Sequence, residues 1–139
     1  MIRKATRADL PRISEIRSAV RENRLTNPNS IAAVPALTDW LLDNSMMWVW
    51  VEDGEIIGFS AADSRDGSIC ALFVDPLYEG RGVGRALFAP ACNVLREDGH
   101  KTAWLTTEPD TRAERFYRAD GWIEARRDAD GQIVFEKRL

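Results

Sequence analysis

Apolar residues follow two different spacings along this chain, and the change between them predicts where helices give way to strands. Leu10, Ile13 and Ile16 recur at helical intervals, which predicts an amphipathic helix over about 9–23 with Asp9 as its N-cap. From residue 47 the apolar runs become short and rich in Val, Ile and aromatic residues, as is typical of strands. Asp-Gly turns at 53–54 and 66–67 separate predicted strands over 47–51, 56–62 and 69–74.

The rest of the chain predicts one mixed sheet. Strand 69–74, a helix over 82–98 and a strand over 103–107 form a crossover unit, so we expect these two strands to be parallel. The segment 26–35, rich in Asn, Pro and Ser, predicts a loop. The remaining predicted elements are a strand over 2–5, helices over 35–43 and 111–119, and strands over 122–127 and 132–137. We expect an α/β fold in a single domain, 1–139, whose mixed and mostly antiparallel sheet has helices on both faces.

Composition and charge narrow the function classes. The 139 residues are 45% hydrophobic and 29% charged, as in a soluble globular domain. The formal net charge of −3 argues against a nucleic-acid partner, because phosphates are bound by clustered basic side chains. No apolar stretch suits a signal peptide or a membrane span, so we expect a cytoplasmic protein with no membrane partner. Cys70 and Cys92 are expected to be small buried hydrophobes, and with the single histidine they make no metal site.

A glycine-rich loop lies between the predicted strand 69–74 and the predicted helix 82–98. Its sequence is Tyr78-Glu79-Gly80-Arg81-Gly82-Val83-Gly84-Arg85, and its glycines let the backbone approach a ligand with no Cβ atom in the way. The first amides of a helix lack intrahelical acceptors and the helix dipole favours an anion there, so we expect a pyrophosphate-binding loop. The loop lacks the Gly-Lys-Ser/Thr of a nucleotide P-loop, and its spacing fails the G-x-G-x-x-G pattern of dinucleotide-binding folds.

Two segments of the chain are similar to motifs that occur together in one protein family. Val74-Asp75-Pro76, followed by Glu79 to Gly84, resembles a Q/R-x-x-G-x-G/A motif. Asp110 to Tyr117, followed by Gly121-Trp122, resembles an N-x-x-A-x-x-F-Y segment. Both motifs belong to the Gcn5-related N-acetyltransferases, in which the first one binds the pyrophosphate of acetyl-coenzyme A (acetyl-CoA). The order of predicted elements also resembles that family's fold, so the similarity extends over nearly the whole chain.

The resemblance implies an acetyltransferase with acetyl-CoA as cosubstrate and an amine of a small molecule or peptide as acceptor; a homodimer is left open. It implies that the two parallel strands splay apart near Val74 and Thr107, with the pantetheine arm in the gap and the Val74 amide polarising the thioester carbonyl. Tyr117 matches the family's general acid, although next to Phe116 it also suits a core aromatic pair. The implied cofactor-binding residues are Leu72, Phe73, Val74, Gly80, Arg81, Gly82, Val83, Gly84, Arg85 and Asp110.

The acceptor side is defined less well by the sequence. Glu79 and Asp110 stand where the family motifs usually have Gln or Arg and Asn, and Asp110 is expected to cap the helix after it. The strand before the glycine loop carries no carboxylate, so the general base is left open between Glu108, Glu22 and a water relay. Glu22 and Arg24, at the end of the first predicted helix, and Glu108, just past the strand at 103–107, are expected to border the acceptor. The alternative to an enzyme is a non-catalytic acyl-CoA-binding sensor or interaction module of the same fold.

Overall fold

The computed structural model describes residues 1–20 and 28–139, which contain a seven-stranded sheet with helices packed against it. Its strands are β1 (Ile2–Lys4), β2 (Met47–Glu52), β3 (Glu55–Asp63), β4 (Ser68–Val74), β5 (Thr102–Thr107), β6 (Ile123–Arg127) and β7 (Ile133–Arg138). Its helices are α1 (Leu10–Ala19), α2 (Pro28–Asp43), α3 (Val83–Glu97) and α4 (Arg112–Ala119). The strand order across the sheet is β1-β2-β3-β4-β5-β7-β6.

The sheet is mixed and mostly antiparallel, which confirms the predicted fold class. All neighbouring strands are antiparallel except β4 and β5, the parallel pair that α3 connects. Among the described residues, only Ser68 and Trp104 are in register between β4 and β5. The Trp104 amide donates to the Gly67 carbonyl at 3.2 Å, and beyond that point the strands diverge. The carboxyl ends of β4 and β5 therefore face each other across a gap, as the family resemblance implied.

The two faces of the sheet carry different helices, because successive side chains of β3 point to opposite faces. The Ser60 hydroxyl donates to the Leu87 carbonyl of α3 at 2.9 Å. A Cβ atom on Gly58 would lie 3.0 Å from Leu87 Cδ1, so glycine permits the close approach of α3 to this face. Phe59 lies between these two positions and points to the other face, where the Arg17 guanidinium of α1 is 5.4 Å from its ring centroid. Helices on both faces were expected from the sequence.

Helix α2 begins earlier than predicted, because most of the segment predicted as a loop, from residue 28 to residue 35, is helical. Pro28 is its first residue, where a missing N–H donor breaks no bond and the φ angle of proline suits a helix. Pro35 lies inside the helix, which would cost about 3 kcal/mol in isolation. Packing offsets this cost, since Leu41 is buried and Leu37 and Trp40 lie partly buried against the core. Proline content was therefore a misleading signal here.

Helix α1 begins where the sequence predicted, after Asp9, but it is shorter than predicted. It ends at Ala19, and the β-branched Val20 after it is extended, with φ −78° and ψ 114°. Asp9 occupies the N-cap position of α1, as predicted, but its side chain makes no capping hydrogen bond to the helix. Its buried carboxylate accepts hydrogen bonds from the Thr6 amide at 2.8 Å and from Arg3 Nη1 and Nη2 at 2.8 and 2.9 Å. Asp9 therefore connects the turn before α1 to Arg3 of β1, and this connection sets where the helix begins.

The described residues include no candidate membrane span or metal-binding group, and both cysteines are free. Across the described helices, none combines the length and the apolar character of a membrane span. No group of three or more His, Cys, Asp and Glu side chains in residues 1–20 and 28–139 is arranged to hold a metal ion. Cys70 and Cys92 are free thiols, and both are half-buried where full burial was predicted. Both pack against the core, and Cys70 also lines the cleft described below.

Candidate functional site

A cleft of about 1300 Å³ opens where β4 and β5 diverge. We call one part of it the loop end, formed by residues 72–74 of β4, the glycine loop and the start of α3. The opposite part is the wall end, formed by α1, α2, Met47 and residues 69–71 of β4. Residues of β5 and α4, together with Gln132 just before β7, complete the lining. The two ends meet along the exposed edge of β4.

The loop end depends on backbone geometry that requires glycine. Gly80 and Gly82 have φ of 76° and 81°, in the left-handed region that other residues rarely adopt. Gly82 is the N-cap residue of α3, and the first intrahelical bond runs from the Ala86 amide to its carbonyl at 3.1 Å. The amides of residues 83–85 therefore have no intrahelical acceptor. A Cβ atom on Gly82 would meet no described atom within 4 Å, so the space above the loop is open to a ligand.

Gly84 brings α3 and α4 close together beside the end of β4. A Cβ atom at this position would lie 3.4 Å from Phe116 Cζ and 3.7 Å from Val74 Cγ2, which are ordinary van der Waals distances. Alanine is therefore acceptable here, whereas a longer side chain would have to extend into the cleft between Val74 and Phe116. The third glycine of the loop is needed for open space more than for its own backbone conformation.

The backbone of β4 presents hydrogen-bonding groups to the gap. The Asp75 amide donates to the Ile57 carbonyl of β3 at 2.8 Å. Because backbone groups alternate in direction along an antiparallel strand, the N–H groups of Leu72 and Val74 point away from β3. They point toward the gap, where no described residue of β5 is in register with them. An extended ligand in this gap would meet the same donors and acceptors as an added strand.

An ion pair with Asp75 joins the loop end to α1. Arg12 Nη2 donates to Asp75 Oδ2 at 2.7 Å, and Arg12 Nε donates to the Ile56 carbonyl at 3.0 Å. The other Asp75 oxygen accepts the Leu77 amide at 3.0 Å and so starts the 3-10 turn that leads into the glycine loop. One carboxylate therefore fixes both the path of the chain after β4 and the position of α1.

Tyr117 lines the cleft and is otherwise enclosed by aromatic rings. Its ring centroid lies 6.0 Å from that of Phe88, 5.9 Å from that of Phe135 and 6.3 Å from that of Trp122. Only 7% of the residue is exposed, and this burial raises the pKa of the phenol above its ordinary value of 10. The hydroxyl is therefore protonated at neutral pH. The sequence left two alternatives for Tyr117, a core aromatic residue and a residue of the reacting site. In the structure its ring packs in the aromatic core and also lines the cleft.

The other predicted cofactor-binding residues divide into two groups. Arg81 and Asp110 are not among the described residues that line the cleft, and the Arg81 guanidinium lies 5.3 Å from the centroid of the Tyr78 ring. Arg85 does line the cleft, but its Nε is 3.3 Å from Asp120 Oδ1, which compensates part of its charge. The cleft-lining group consists of Leu72, Phe73, Val74, Gly80, Gly82, Val83, Gly84 and Arg85. Their role toward a cofactor stays a prediction.

Sequence analysis missed three arginines that line the cleft, Arg17 of α1 and Arg112 and Arg115 of α4. Arg112 Nη1 lies 3.1 Å from Glu79 Oε2, so the acidic departure from the family motif is balanced by a nearby cation. A signal for Arg112 and Arg115 was available, because residues three apart on a helix share a face. For Arg17 there was no comparable signal, since α1 carries several charged residues and only the packing reveals which one enters the cleft.

Asp110 does not cap α4, contrary to the prediction. The N-cap is Thr111, whose Oγ1 accepts a hydrogen bond from the Glu114 amide at 3.2 Å. The Asp110 amide donates to Glu114 Oε1 at 2.8 Å, and Asp110 itself has a left-handed φ of 63°. The spacing Thr111-x-x-Glu114 is a capping-box signature and would have identified the true cap. Asn and Asp adopt the left-handed region more readily than most residues, which explains why an Asp can stand in for the family's Asn.

The wall end presents one charge on an otherwise uncharged surface. Among its described lining residues, Arg17 is the only ionised side chain at neutral pH. Burial lowers the pKa of its guanidinium, which still remains protonated at neutral pH. The neighbouring Cys70 is not ionised, because burial raises the pKa of its thiol to about 12. Aliphatic residues, including Leu37, Leu41 and Met47, form much of the remaining surface.

The residues predicted to border the acceptor are not brought together in the described structure. Glu22 and Arg24 lie outside the described residues. Glu108 is half-buried after β5 and is not among the described residues that line the cleft, and its carbonyl accepts the Thr111 hydroxyl at 2.9 Å. The one described carboxylate in the lining is Glu79, at the loop end.

Known proteins share parts of this sequence. A model of the acetyltransferase (GNAT) family matches residues 11–122. The peptidyl-lysine N-acetyltransferase YiaC of Escherichia coli is 37% identical over 91 residues, which are 63% of this chain and 61% of YiaC. The mycothiol acetyltransferase of Beutenbergia cavernae is 35% identical over 86 residues, which are 58% of this chain and 29% of that protein. The match to this chain therefore spans less than two thirds of either relative.

A solved structure shares the fold. The acetyltransferase yncA from Salmonella typhimurium, solved with its cofactor acetyl-CoA, superposes with a TM-score of 0.71 at 20% sequence identity. The superposition covers 100% of this chain and 93% of yncA. At this level of identity the likeness concerns the arrangement of sheet and helices around the cleft.

Proposed function

This chain belongs to the acetyltransferase (GNAT) family, and we propose that it transfers the acetyl group of acetyl-CoA directly to an amine bound in the cleft. The observation that carries this proposal is the gap between β4 and β5, bordered by the glycine loop, by the free backbone groups of β4 and by Tyr117. The structure of yncA holds acetyl-CoA, and the names of both relatives describe acetyl transfer.

The loop end suits the pyrophosphate of the donor. Residues 83–85 offer amides at the start of the 15-residue helix α3, where the helix dipole favours negative charge. Gly80 and Gly82 supply the left-handed backbone of the loop, and their lack of a Cβ atom lets a ligand approach these amides. Arg112 and Arg115 add positive charge from the facing helix, where they would meet the remaining phosphate of the donor.

The edge of β4 suits the pantetheine arm and the thioester. We propose that Leu72, Phe73 and Val74 hold the arm by strand-like hydrogen bonds, since the N–H groups of Leu72 and Val74 face the gap. The Val74 amide is then the donor to the thioester oxygen. A donor fixed in advance stabilises the charge that develops on that oxygen without any rearrangement during the reaction.

Tyr117 suits the role of general acid. The reaction forms a bond from the amine nitrogen to the acetyl carbon and breaks the carbon–sulfur bond, so the sulfur leaves with a negative charge that needs a proton. Burial keeps the Tyr117 phenol protonated throughout the neutral range, and we propose that it gives its proton to the sulfur and regains one from solvent.

The proton of the amine needs a separate acceptor. Among the described lining residues the only carboxylate is Glu79, which lies at the loop end and is paired with Arg112. We therefore propose that the amine enters uncharged and that water in the cleft takes the proton after attack. A water relay of this kind was one of the alternatives left open by the sequence.

A free-thiol assay with a panel of amines tests this function. We expect thiol release from acetyl-CoA that depends on the amine, together with an acetylated product detected by mass spectrometry. Reactions without amine, or without protein, serve as controls for hydrolysis. The alternative, a non-catalytic acyl-CoA-binding module, predicts binding of acetyl-CoA by calorimetry with no amine in the panel accelerating thiol release, and that result would refute the transferase proposal.

A further inference from the structure

The wall end of the cleft contains a cation with no described partner. Arg17 lines the cleft from the last turns of α1, and its guanidinium carbon lies 5.4 and 5.7 Å from the ring centroids of Phe59 and Phe73. No described residue forms an ion pair with it. Contact with two aromatic faces compensates part of the desolvation of a cation, but no described residue accepts a hydrogen bond from its N–H donors.

The nearby described groups that could neutralise Arg17 are otherwise engaged or uncharged. Asp39 borders a smaller adjoining cavity with Arg17, but its Oδ1 accepts Arg7 Nη1 at 2.7 Å. The Cys70 thiol holds its proton because burial raises its pKa to about 12. Glu79 belongs to the loop end and is paired with Arg112. A half-buried cation that no described residue compensates is costly for a protein to keep, so an anionic ligand is a natural partner.

We propose that Arg17 binds a carboxylate of the acceptor, so that the substrate is an amino acid or peptide carrying both an amine and a carboxylate. This inference rests on the proposed acetyl transfer, of which it names the substrate class. A planar guanidinium matches one carboxylate by two parallel N–H···O bonds, which fixes orientation as well as affinity. Arg17 is then the specificity-determining residue, and the aliphatic surface around it accommodates the acceptor's apolar part.

Matched pairs of acceptors test the inference directly. Free amino acids and dipeptides are compared with their carboxamides, which keep the amine and lose only the negative charge. The amine of a carboxamide is less basic and more often uncharged at neutral pH, so amine basicity alone would favour the amide. We expect kcat/KM to favour the acids by about 10- to 100-fold, the value of a hydrogen bond to a charged group. Comparing dipeptides with free amino acids shows whether the preferred carboxylate is that of a peptide or that of a free amino acid.

Substitutions at Arg17 assign the preference to this residue. Arg17→Met keeps a long apolar stem over Phe59 and Phe73 and removes the charge, and it should abolish the preference for acids while leaving CoA affinity unchanged. Arg17→Lys should keep part of the preference, because charge remains but the bidentate geometry does not. Arg96→Met removes an exposed arginine of α3 outside the cleft and is the matched control. Equal use of acids and amides by the unmodified protein, or an undiminished preference in folded Arg17→Met, would overturn the inference.

Calorimetry separates this inference from the proposed function. If no amine releases thiol, the same acids and amides are titrated into the protein saturated with CoA. Tighter binding of acids that is lost in Arg17→Met would support the role of Arg17 even though acetyl transfer had failed. Absence of binding, or equal binding of acids and amides, would refute the role of Arg17. Thiol release with equal use of acids and amides would leave the transferase function standing and refute only the inference.

Discussion

The two ends of the cleft are constructed from different parts of the chain. The loop end consists mainly of backbone, namely the amides at the start of α3, the left-handed Gly80 and Gly82, and the free edge of β4. The wall end consists of side chains drawn from α1, α2, β2 and β4, with Arg17 as its charged group among the described residues. One end thus offers groups that nearly every residue possesses, and the other offers groups that depend on residue identity.

This difference bears on how one fold can serve several substrates. Backbone amides tolerate sequence change as long as the glycines remain, so the same donor site can persist in proteins of low identity. Side chains can be replaced one at a time, so the wall end can change its ligand without disturbing the donor site. The relatives fit this view, since YiaC and the mycothiol acetyltransferase are 37% and 35% identical to the chain and bear names that point to different acceptors.

The largest expected effect comes from a residue that belongs to neither end. Tyr117→Phe keeps the ring that packs on Phe88 and Phe135 and removes only the hydroxyl. We expect turnover to fall by about 10²–10⁴-fold, as for a lost acid–base group, with CoA affinity and acceptor preference little changed. Steady-state kinetics and calorimetry together check this.

The pH profile of the unmodified protein sharpens the same prediction. A general acid is lost when it deprotonates, and burial raises the pKa of Tyr117 above 10. Loss of its proton should therefore not reduce turnover below that pH. Full activity of folded Tyr117→Phe would reassign the residue to the aromatic core alone, and the reaction would then lack a described acid.

The next largest effect should be confined to the loop end. Gly84→Glu adds a carboxylate between Val74 and Phe116, beside the proposed path of the pyrophosphate. Like charges brought this close cost several kcal/mol, so CoA affinity measured by calorimetry should fall by about 10²-fold or more. Gly84→Ala is the matched control, because its Cβ atom would sit 3.4 Å from Phe116 Cζ, and we expect near-normal affinity. Unchanged affinity in folded Gly84→Glu would remove the glycine loop from the donor site.

The loop end was accessible to sequence analysis because its determinants are contiguous and specific. Gly80 and Gly82 need left-handed backbone angles, and few other residues could replace them. The wall end was not accessible, because Arg17, Leu37 and Cys70 meet only after α1, α2 and β4 pack together. Residue type alone could not distinguish Arg17 from Arg12, which lies five residues earlier in the same helix and pairs with Asp75 instead.

Local signals also failed where tertiary packing overrode them. The prolines at 28 and 35 predicted a loop, but one occupies the first position of α2 and the other is tolerated because the helix packs on the core. The cap of α4 was misassigned for a different reason. Thr111 and Glu114 carry the capping signal, whereas Asp110, which resembles a family Asn, lies one residue before the cap.

The smallest expected effect concerns the ion pair between Asp9 and Arg3, which holds the start of α1 at the wall end. The bidentate pair with Arg3 lowers the pKa of Asp9 from 3.8 to about 2. A depressed pKa in the folded state means that the pair stabilises the protein above the ordinary pKa and that this contribution is lost as pH falls through about 2. Asp9→Asn should therefore lower the free energy of unfolding by about 2 kcal/mol at neutral pH, with a smaller difference in acid.

Urea unfolding at neutral and acidic pH measures this effect, with exposed Asp130→Asn as the control. Because Asp9 fixes the start of α1, acceptor kinetics should weaken while CoA affinity is spared. A parallel loss of CoA affinity would mean that the two ends are not separable, and the Arg12–Asp75 pair would be the connection between them.

The divergence of β4 and β5 gives the sheet an inner pair of edges in addition to its outer ones. The outer edges are poor templates for aggregation, since β1 has three residues and β6 carries Glu124, Arg126 and Arg127. The inner edge at Leu72 and Val74 lines the cleft, where an extended ligand could pair with it. A ligand that completes this edge stabilises the folded state by mass action. The resistance of the protein to aggregation should therefore rise with the concentration of acyl donor around it.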